Sequence, residues 1–368
     1  MTDIPARLML ASAVALSATA QSACNVRTVW ECVDGTSRCG EACVDLQRDP
    51  SHCGTCERAC GEGLACMDAS CGFMPPSKVR CVAVGDSGVL VYRDTEGGWS
   101  ASEQSGLLTQ SRLRSVRFQG GFWLAAGDGG VLLRSIDGKT WFAARASPLW
   151  SGAADVRALA ASDGLVLATG MAGRLAWSES GGNAWTDVPD VGAGGLHAAE
   201  YSLGTWIAVD WIGGVFRSAD DVPGKRYLKS ATLGGAGWSS VAARKGAWMA
   251  AGSALLAASE DAGVTWSPRT VPSITGNLVL GTDGGLWMCG GDDGTYALSS
   301  DLGETWSAPK KIPGAGIITG IFSGRFQGGN RWFVTTASGQ VEESTDAEEW
   351  RLVAGAADGL RSLWCTPW

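Results

Sequence analysis

Charged residues make up only 18% of the 368-residue chain, which has just two histidines and four tyrosines. Few charges beside 53 glycines and 18 tryptophans favour short strands and tight turns over helices. The formal net charge of −8 argues against a general nucleic-acid binder. With only His52 and His197 and no G-x-S-x-G sequence, a Ser-His-Asp hydrolase is disfavoured. No phosphate-binding glycine loop or cluster of metal ligands occurs in residues 76–368, so we expect no cofactor and no metal.

The N-terminal residues have the pattern of an export signal. Arg7 precedes an apolar run from Leu8 to Ala18, which is too short for a permanent transmembrane helix. We therefore predict a signal peptide at residues 1–23 and an extracytoplasmic protein. Residues 18–20 (A-T-A) fit a secretory cleavage site, whereas residues 21–24 (Q-S-A-C) resemble a bacterial lipobox. The second alternative makes Cys24 the lipidated residue of a cell-envelope lipoprotein whose only membrane contact is its lipid anchor; the first gives a secreted protein.

Nine of the twelve cysteines lie between Cys24 and Cys71. Without Cys24, eight remain, enough for four disulfides, which an oxidising compartment favours over a zinc site at Cys53 and Cys56. The segment has too few apolar residues for a core of its own. Residues 49–56 (D-P-S-H-C-G-T-C) resemble the D-P-x-x-C-G-x-C modules in front of many exported proteins of predatory soil bacteria. We predict a small disulfide-rich segment with a linker at residues 24–75.

One short pattern recurs through the rest of the chain. Residues 259–266 (S-E-D-A-G-V-T-W) return as residues 299–306 (S-S-D-L-G-E-T-W), and looser copies occur elsewhere. The copies end about 40 residues apart, at the aromatic residues Trp99, Trp141, Trp185, Tyr227, Trp266, Trp306 and Trp350. A period of this length, with four short strands in each repeat, is typical of propeller blades. The predicted fold class is all-β: a seven-bladed β-propeller at residues 76–368, preceded by the small disulfide-rich segment.

The two ends of the repeat array complement each other. In the second repeat we predict strands at 113–118, 122–126 and 131–135, with a fourth starting near Trp141. Residues 360–365 repeat the first strand without its partners, whereas residues 79–85 form a second strand without a first. The C-terminal strand should therefore complete the first blade and close the ring, which removes exposed sheet edges. This alignment places Cys81 beside Cys365 and predicts a disulfide between them, and it leaves Cys289 as a buried core residue.

The pattern S-x-D-x-G-x-T-W resembles the Asp-box, or BNR, repeat of the sialidase-like propeller superfamily. Residues 127–141 also resemble the blade pattern G-D-x-G-x-x-x-x-S-x-D-G-x-x-W of photosystem II stability/assembly factor-like proteins, which are seven-bladed. This second resemblance covers roughly residues 79–365 and implies the fold, whereas the photosystem role is not carried over. The box turns lie on the face opposite the expected ligand site. The box aspartates are therefore structural: Asp137, Asp261, Asp301 and Asp346.

The start of each first strand points towards the ligand-side mouth of the channel. Aligning the seven copies gives a polar column of Arg361, Arg114, Arg157, His197, Ser239, Thr275 and Thr319. The next column is small: Ser362, Ser115, Ala158, Ala198, Ser240, Gly276 and Gly320. The cationic members of the first column, which we call the mouth arc (Arg361, Arg114, Arg157 and His197), suit a carboxylate, sulfate or phosphate. The alternative is that these arginines pair with aspartates of the neighbouring turns: Asp86, Asp128, Asp292 or Asp293.

These features predict a monomeric, non-catalytic propeller that binds a protein or an anionic glycan at its mouth. The alternative is a glycan-active enzyme. Sialidases resemble six-bladed rings with an F/Y-R-I-P element and a Tyr–Glu nucleophile pair, whereas this sequence has seven repeats and no such element. Glu200 and Tyr201 are adjacent on a strand, so their side chains point to opposite sides and do not form that pair. We therefore assign no catalytic residue.

Overall fold

The computed structural model describes residues 79–366 with short gaps at 96–97, 120, 145–149, 151–153, 163, 189–190, 192–193, 219–225, 236, 284 and 327–328. It also describes residues 37–39, 42–44, 46, 53–57, 64–67 and 70–73. The predicted signal peptide, Cys24 and most of the cysteine-rich segment lie outside the described residues. Within them, the helical elements are short 3-10 turns, and none is long and apolar enough to cross a membrane.

The described part of the cysteine-rich segment contains two small antiparallel hairpins. They are β1 (Ser37–Cys39) with β2 (Ala42–Val44), and β3 (Leu64–Met67) with β4 (Ser70–Phe73). Cys39 forms a disulfide with Cys56, and Cys53 is also disulfide-bonded. Cys53 and Cys56 are therefore not a zinc-binding pair.

Seven four-stranded antiparallel sheets form the rest of the structure, which confirms the predicted all-β, seven-bladed propeller. Blade 1 consists of β5 (Val79–Gly85), β6 (Leu90–Asp94), β7 (Trp99–Ala101) and β32 (Leu360–Cys365). Blade 2 consists of β8 (Leu113–Gln119), β9 (Phe122–Gly127), β10 (Leu132–Ser135) and β11 (Phe142–Ala143). Blade 3 consists of β12 (Val156–Ser162), β13 (Leu165–Gly170), β14 (Leu175–Ser178) and β15 (Thr186–Val188).

The other four blades follow the same order. Blade 4 consists of β16 (Leu196–Ser202), β17 (Thr205–Asp210), β18 (Gly214–Ser218) and β19 (Tyr227–Thr232). Blade 5 consists of β20 (Ser240–Arg244), β21 (Ala247–Gly252), β22 (Leu255–Ser259) and β23 (Ser267–Pro268). Blade 6 consists of β24 (Val279–Thr282), β25 (Trp287–Gly290), β26 (Thr295–Ser299) and β27 (Lys310–Lys311). Blade 7 consists of β28 (Ile318–Phe326), β29 (Gly329–Thr336), β30 (Gln340–Ser344) and β31 (Arg351–Gly355).

The C-terminal strand β32 closes the ring by pairing with β5 of blade 1. Cys365 lies opposite Cys81 in this pairing, and the two residues form a disulfide. The bond therefore joins the two cysteines that the repeat alignment brings together. Cys289 is a free, buried thiol in the core of blade 6, and burial raises its pKa to about 12.

The core lies between the blades, because each sheet packs both its faces against its neighbours. The second strands are accordingly apolar on both sides, and β13 is buried along its whole length. One position of these strands holds a buried tryptophan in five of the seven blades: Trp123, Trp206, Trp248, Trp287 and Trp332. Tryptophan fills the wide space between two sheets, which explains its abundance in the sequence.

The repeated S-x-D-x-G-x-T-W segment is the turn between the third and fourth strands. In blade 5, Asp261 accepts hydrogen bonds from Ser259 Oγ (2.8 Å) and from Thr265 N (2.8 Å) and Oγ1 (2.6 Å). The bonds from Thr265 lower the pKa of Asp261 to about 2. Gly263 has a φ of +82°, and a Cβ there would lie 2.1 Å from Ile207 Cδ1. We call this side of the ring the box face and the opposite side the mouth face.

Two adjacent buried glutamates on β30 have opposite surroundings. Glu343 accepts hydrogen bonds from Arg93 (3.1 Å), Arg331 (2.5 Å) and Arg351 (2.7 Å). Burial alone would raise the pKa of Glu343, but these hydrogen bonds and the positive charges hold it below its usual value. Glu342 is 2% exposed and lies opposite Val334, a member of the apolar cluster between blades 6 and 7. None of the described residues donates a hydrogen bond to Glu342, and burial raises its pKa to about 7.

Candidate functional site: the channel and its mouth

The first strands of all seven blades line one central channel. The described lining residues enclose a cavity of roughly 420 Å³, within the range of small-molecule sites. Arg361, Arg114, Arg157 and His197 line it on four consecutive blades. Ser239 and Thr319 continue this column on blades 5 and 7. The structure thus brings the four predicted binding residues to one place.

Blade 6 departs from the predicted alignment. Its first strand begins at Val279, so Val279 and Leu280 line the channel there. Thr275 and Gly276, which the alignment places in the two columns, lie in the loop before that strand. The carbonyl oxygen of Thr275 instead accepts a hydrogen bond from Asp292 N at the mouth-face turn of the blade (2.9 Å). The lining of this blade is therefore apolar where a polar residue was expected.

Two arginines of the mouth arc bind carboxylates of the neighbouring turns through two hydrogen bonds each. Arg361 donates to both oxygens of Asp86, with Nε 2.9 Å from Oδ1. Arg112 Nε donates to the same carboxylate (2.6 Å). The hydrogen bond from Arg361 is the largest of the effects that lower the pKa of Asp86. Arg114 likewise donates to both oxygens of Asp128, with Nη2 3.0 Å from Oδ2. These are two of the aspartate partners that the alternative interpretation of the arc names.

Arg157 and His197 differ from the other two members of the arc. Arg157 Nη2 donates to Asp155 Oδ2 (2.9 Å), while its buried Nε has no acceptor among the described residues. The His197 ring packs on Trp211 with ring centroids 5.0 Å apart. Burial, then the positive charges of Arg157 and Arg114, lower the pKa of His197 to about 4. On these grounds we expect His197 to be neutral at pH 7, so that the arginines carry the positive charge of the arc.

The charges around the arc nearly cancel. Four guanidiniums, including that of Arg112, face three carboxylates, which leaves one positive charge in this group. Of the other suggested aspartates, Asp293 binds Lys311 (2.6 Å). Sequence reasoning missed Arg112 and Asp155. Each lies two residues before an arc arginine, and that spacing was the available signal.

The mouth face also carries exposed apolar side chains that the sequence analysis did not identify. Six of the eleven large apolar residues exposed among the described residues lie in its loops: Leu107, Leu108, Met171, Trp211, Ile212 and Ile317. Ile212 is 58% exposed, and Trp211 beside it contacts His197 of the arc. The exposed apolar side chains therefore meet the mouth arc at blade 4.

The described channel lining offers little for acid–base catalysis. Glu200 is its only carboxylate, whereas glycoside hydrolysis ordinarily uses a pair of them. Tyr201 does not accompany Glu200 as a nucleophile, since its hydroxyl accepts a hydrogen bond from Gly204 N in the turn after β16 (3.0 Å). No group of three or more potential metal ligands occurs among the described residues.

No protein-family model matches the chain, and no curated protein matches it in sequence. Similar solved structures include YCF48 from Cyanidioschyzon merolae, with 15% identity and a TM-score of 0.52 over 68% of this chain and 89% of that one. YCF48 bound to a D1 peptide has 15% identity and a TM-score of 0.53 over 76% and 85% of the two chains. The computationally designed protein Ika8 has 13% identity and a TM-score of 0.53 over 78% and 91%. These likenesses define the class of the protein as a β-propeller, and at such identities they show the fold alone.

Proposed function

We propose that this chain is an exported, non-catalytic β-propeller that binds a protein partner at its mouth face. The observation that carries the proposal is the concentration of exposed apolar side chains around a partly neutralised arginine arc. Contiguous exposed apolar side chains mark interaction sites, and tryptophan, methionine and arginine are enriched in interfaces. The resemblance of the blade pattern to photosystem II assembly factor-like proteins supports a binding role. An anionic glycan remains the second ligand class for the arc.

The arc would recognise acidic side chains of a partner by exchange: a partner carboxylate would replace an aspartate that an arc arginine now binds. Its arginines already hold carboxylates in the two-bond geometry that a partner's Asp or Glu also offers. Arg157 Nε has no acceptor among the described residues, and the group has one positive charge in excess. An incoming carboxylate can therefore bind without displacing all three aspartates. The partner segment we propose is therefore an acidic peptide with apolar residues beside its carboxylates. YCF48 bound to a D1 peptide is a precedent for peptide binding by a propeller of similar fold.

Substitutions on the mouth face should weaken partner binding. We expect Ile212→Ser and Arg157→Gln each to reduce binding to an array of acidic–apolar peptides at least about tenfold, since buried interface anchors contribute about 1.4 kcal/mol or more. The matched control is Val264→Ser, because Val264 is similarly exposed (51%) but lies on the box face. Peptide-array binding followed by titration calorimetry of the best peptide measures the effect.

Equal binding by wild type and both mouth variants would refute the proposed site. Binding of the same proteins to an anionic-glycan array is measured in parallel. Glycan binding that depends on Arg157 but not on Ile212, without peptide binding, would favour the glycan ligand over the protein partner.

We propose further that export ends in a lipid anchor at Cys24. The support is the Q-S-A-C sequence at residues 21–24 after the apolar run, together with the disulfides of the described N-terminal residues. Metabolic labelling with a fatty acid in a bacterial host should label the wild-type chain and not a Cys24→Ala variant. Equal labelling of the two chains would rule out the anchor and leave secretion.

A further inference from the structure

Below the mouth, one ion pair crosses the channel. Arg117 on blade 2 and Glu200 on blade 4 both line the cavity, with Arg117 Nη2 3.6 Å from Glu200 Oε2. Their side chains are only 14% and 21% exposed. The pair is therefore sheltered inside the ring rather than on its outer surface.

Arg117 has most of its hydrogen-bonding capacity unused. One face of its guanidinium packs on the Trp364 ring, 4.5 Å from the centroid. Nη1 donates to the carbonyl oxygen of Val116 (2.9 Å), whereas Nε has no acceptor among the described residues. The 3.6 Å contact with Glu200 is too long for a hydrogen bond. A buried guanidinium with one hydrogen bond is costly unless something else satisfies its donors.

Glu200 is similarly incomplete. Its Oε1 accepts a hydrogen bond from Tyr201 N (3.0 Å), and among the described residues Oε2 has only the long contact with Arg117. Phe322 also lines the cavity and packs edge-on against Trp364, the ring under Arg117, with centroids 5.1 Å apart. The inner channel thus combines a cation, an anion and two aromatic rings.

We propose that the inner channel binds a small zwitterion of the α-amino-acid type. The ligand carboxylate would accept hydrogen bonds from Arg117, and its ammonium group would donate to Glu200. These two ligand charges are neighbours in every α-amino acid, as the two protein charges are in the channel. Trp364 and Phe322 favour an apolar or aromatic side chain on the ligand.

The cavity has the room and the access for such a ligand. Its volume of roughly 420 Å³ extends without interruption from Arg361 and Arg114 at the mouth to Arg117 and Trp364 inside. Small residues line the passage between them, among them Ser115, Ala158, Ala198, Ser240 and Gly320. This site lies in the same cavity as the mouth arc but differs from the proposed peptide surface, because it uses neither the arc residues nor the exposed apolar side chains of the mouth face.

Titration calorimetry of the full chain with three related molecules tests the proposal. Phenylalanine should bind, whereas 3-phenylpropionate, which lacks the ammonium group, and phenethylamine, which lacks the carboxylate, should each bind at least about tenfold more weakly. Glu200→Gln should reduce the affinity for phenylalanine about tenfold and should not reduce that for 3-phenylpropionate, because the substitution removes the carboxylate beside Arg117. Glu260→Gln is the matched control, because Glu260 is an exposed carboxylate on the box face.

The affinities of the wild-type protein for the three molecules test the proposal even if Glu200→Gln fails to fold. Absence of binding by all three molecules at millimolar concentration would overturn the proposal. Equal affinities for the three, or equal losses for phenylalanine and 3-phenylpropionate in Glu200→Gln, would also overturn it. Ile212→Ser should leave phenylalanine binding unchanged, so failure of the peptide site and failure of this site are distinguishable.

Discussion

Replacing Cys81 and Cys365 together by serine is expected to lower the free energy of unfolding by about 5 kcal/mol. The bond joins residues separated by 284 positions, so it restricts almost the whole propeller in the unfolded chain. Loop-closure entropy gives its largest values for such long loops. Without the disulfide, β32 would be held to blade 1 only by its pairing with β5. Urea unfolding monitored by tryptophan fluorescence measures the change in the free energy of unfolding.

Two comparisons separate the bond from other effects of the substitution. Cys289→Ser, which alters a buried cysteine outside any disulfide, reports the cost of a serine in the core. Limited proteolysis should release the C-terminal strand first in the double variant and not in Cys289→Ser. If the free energy of unfolding of the double variant lay within about 1 kcal/mol of the wild-type value, the strand pairing alone would be sufficient to close the ring.

Substituting Glu342 by glutamine should stabilise the protein above pH 7. Burial raises the pKa of Glu342 from 4.5 to about 7, so the folded state binds this proton more tightly than the unfolded state. The contribution of Glu342 is therefore most favourable below pH 4.5 and is lost as the pH rises to about 7. A shift of this size corresponds to about 3 kcal/mol, which Glu342→Gln should recover at pH 8 and not at pH 4. Unfolding curves at several pH values measure the difference.

The neighbouring glutamate provides the opposite result as a control. The pKa of Glu343 lies below its usual value, so its contribution is present at neutral pH and is lost on acidification. Glu343→Gln leaves three arginines around a neutral amide and should cost about 3 kcal/mol or more at pH 7. Destabilisation by both substitutions at pH 8 would show that Glu342 has a partner in solution, and would contradict its assignment as an unpaired buried acid.

Periodic features of this fold could be predicted from the sequence, whereas features of a single blade could not. The box aromatics gave the number of blades, and the incomplete repeats at residues 79–85 and 360–365 gave the closing strand. Thr275 was misplaced because the loop before Val279 contains no strand-like alternation that would fix the register. The protonation of His197 depends on burial and on charges from other blades, which no local pattern reveals. The sequence Q-V-E-E-S suggests that Glu342 faces solvent. Its burial follows from the packing of blade 7 on blade 6, which the sequence does not reveal.

The shared first blade also sets the order in which the ring can form during synthesis. Because β32 supplies one strand of blade 1, the ring cannot close until residues 360–365 have emerged. Until then one edge of β5 is unpaired, and the ring of blades stays open. Once β32 has paired with β5, oxidation of Cys81 and Cys365 links the first and last strands of the ring covalently and holds it closed.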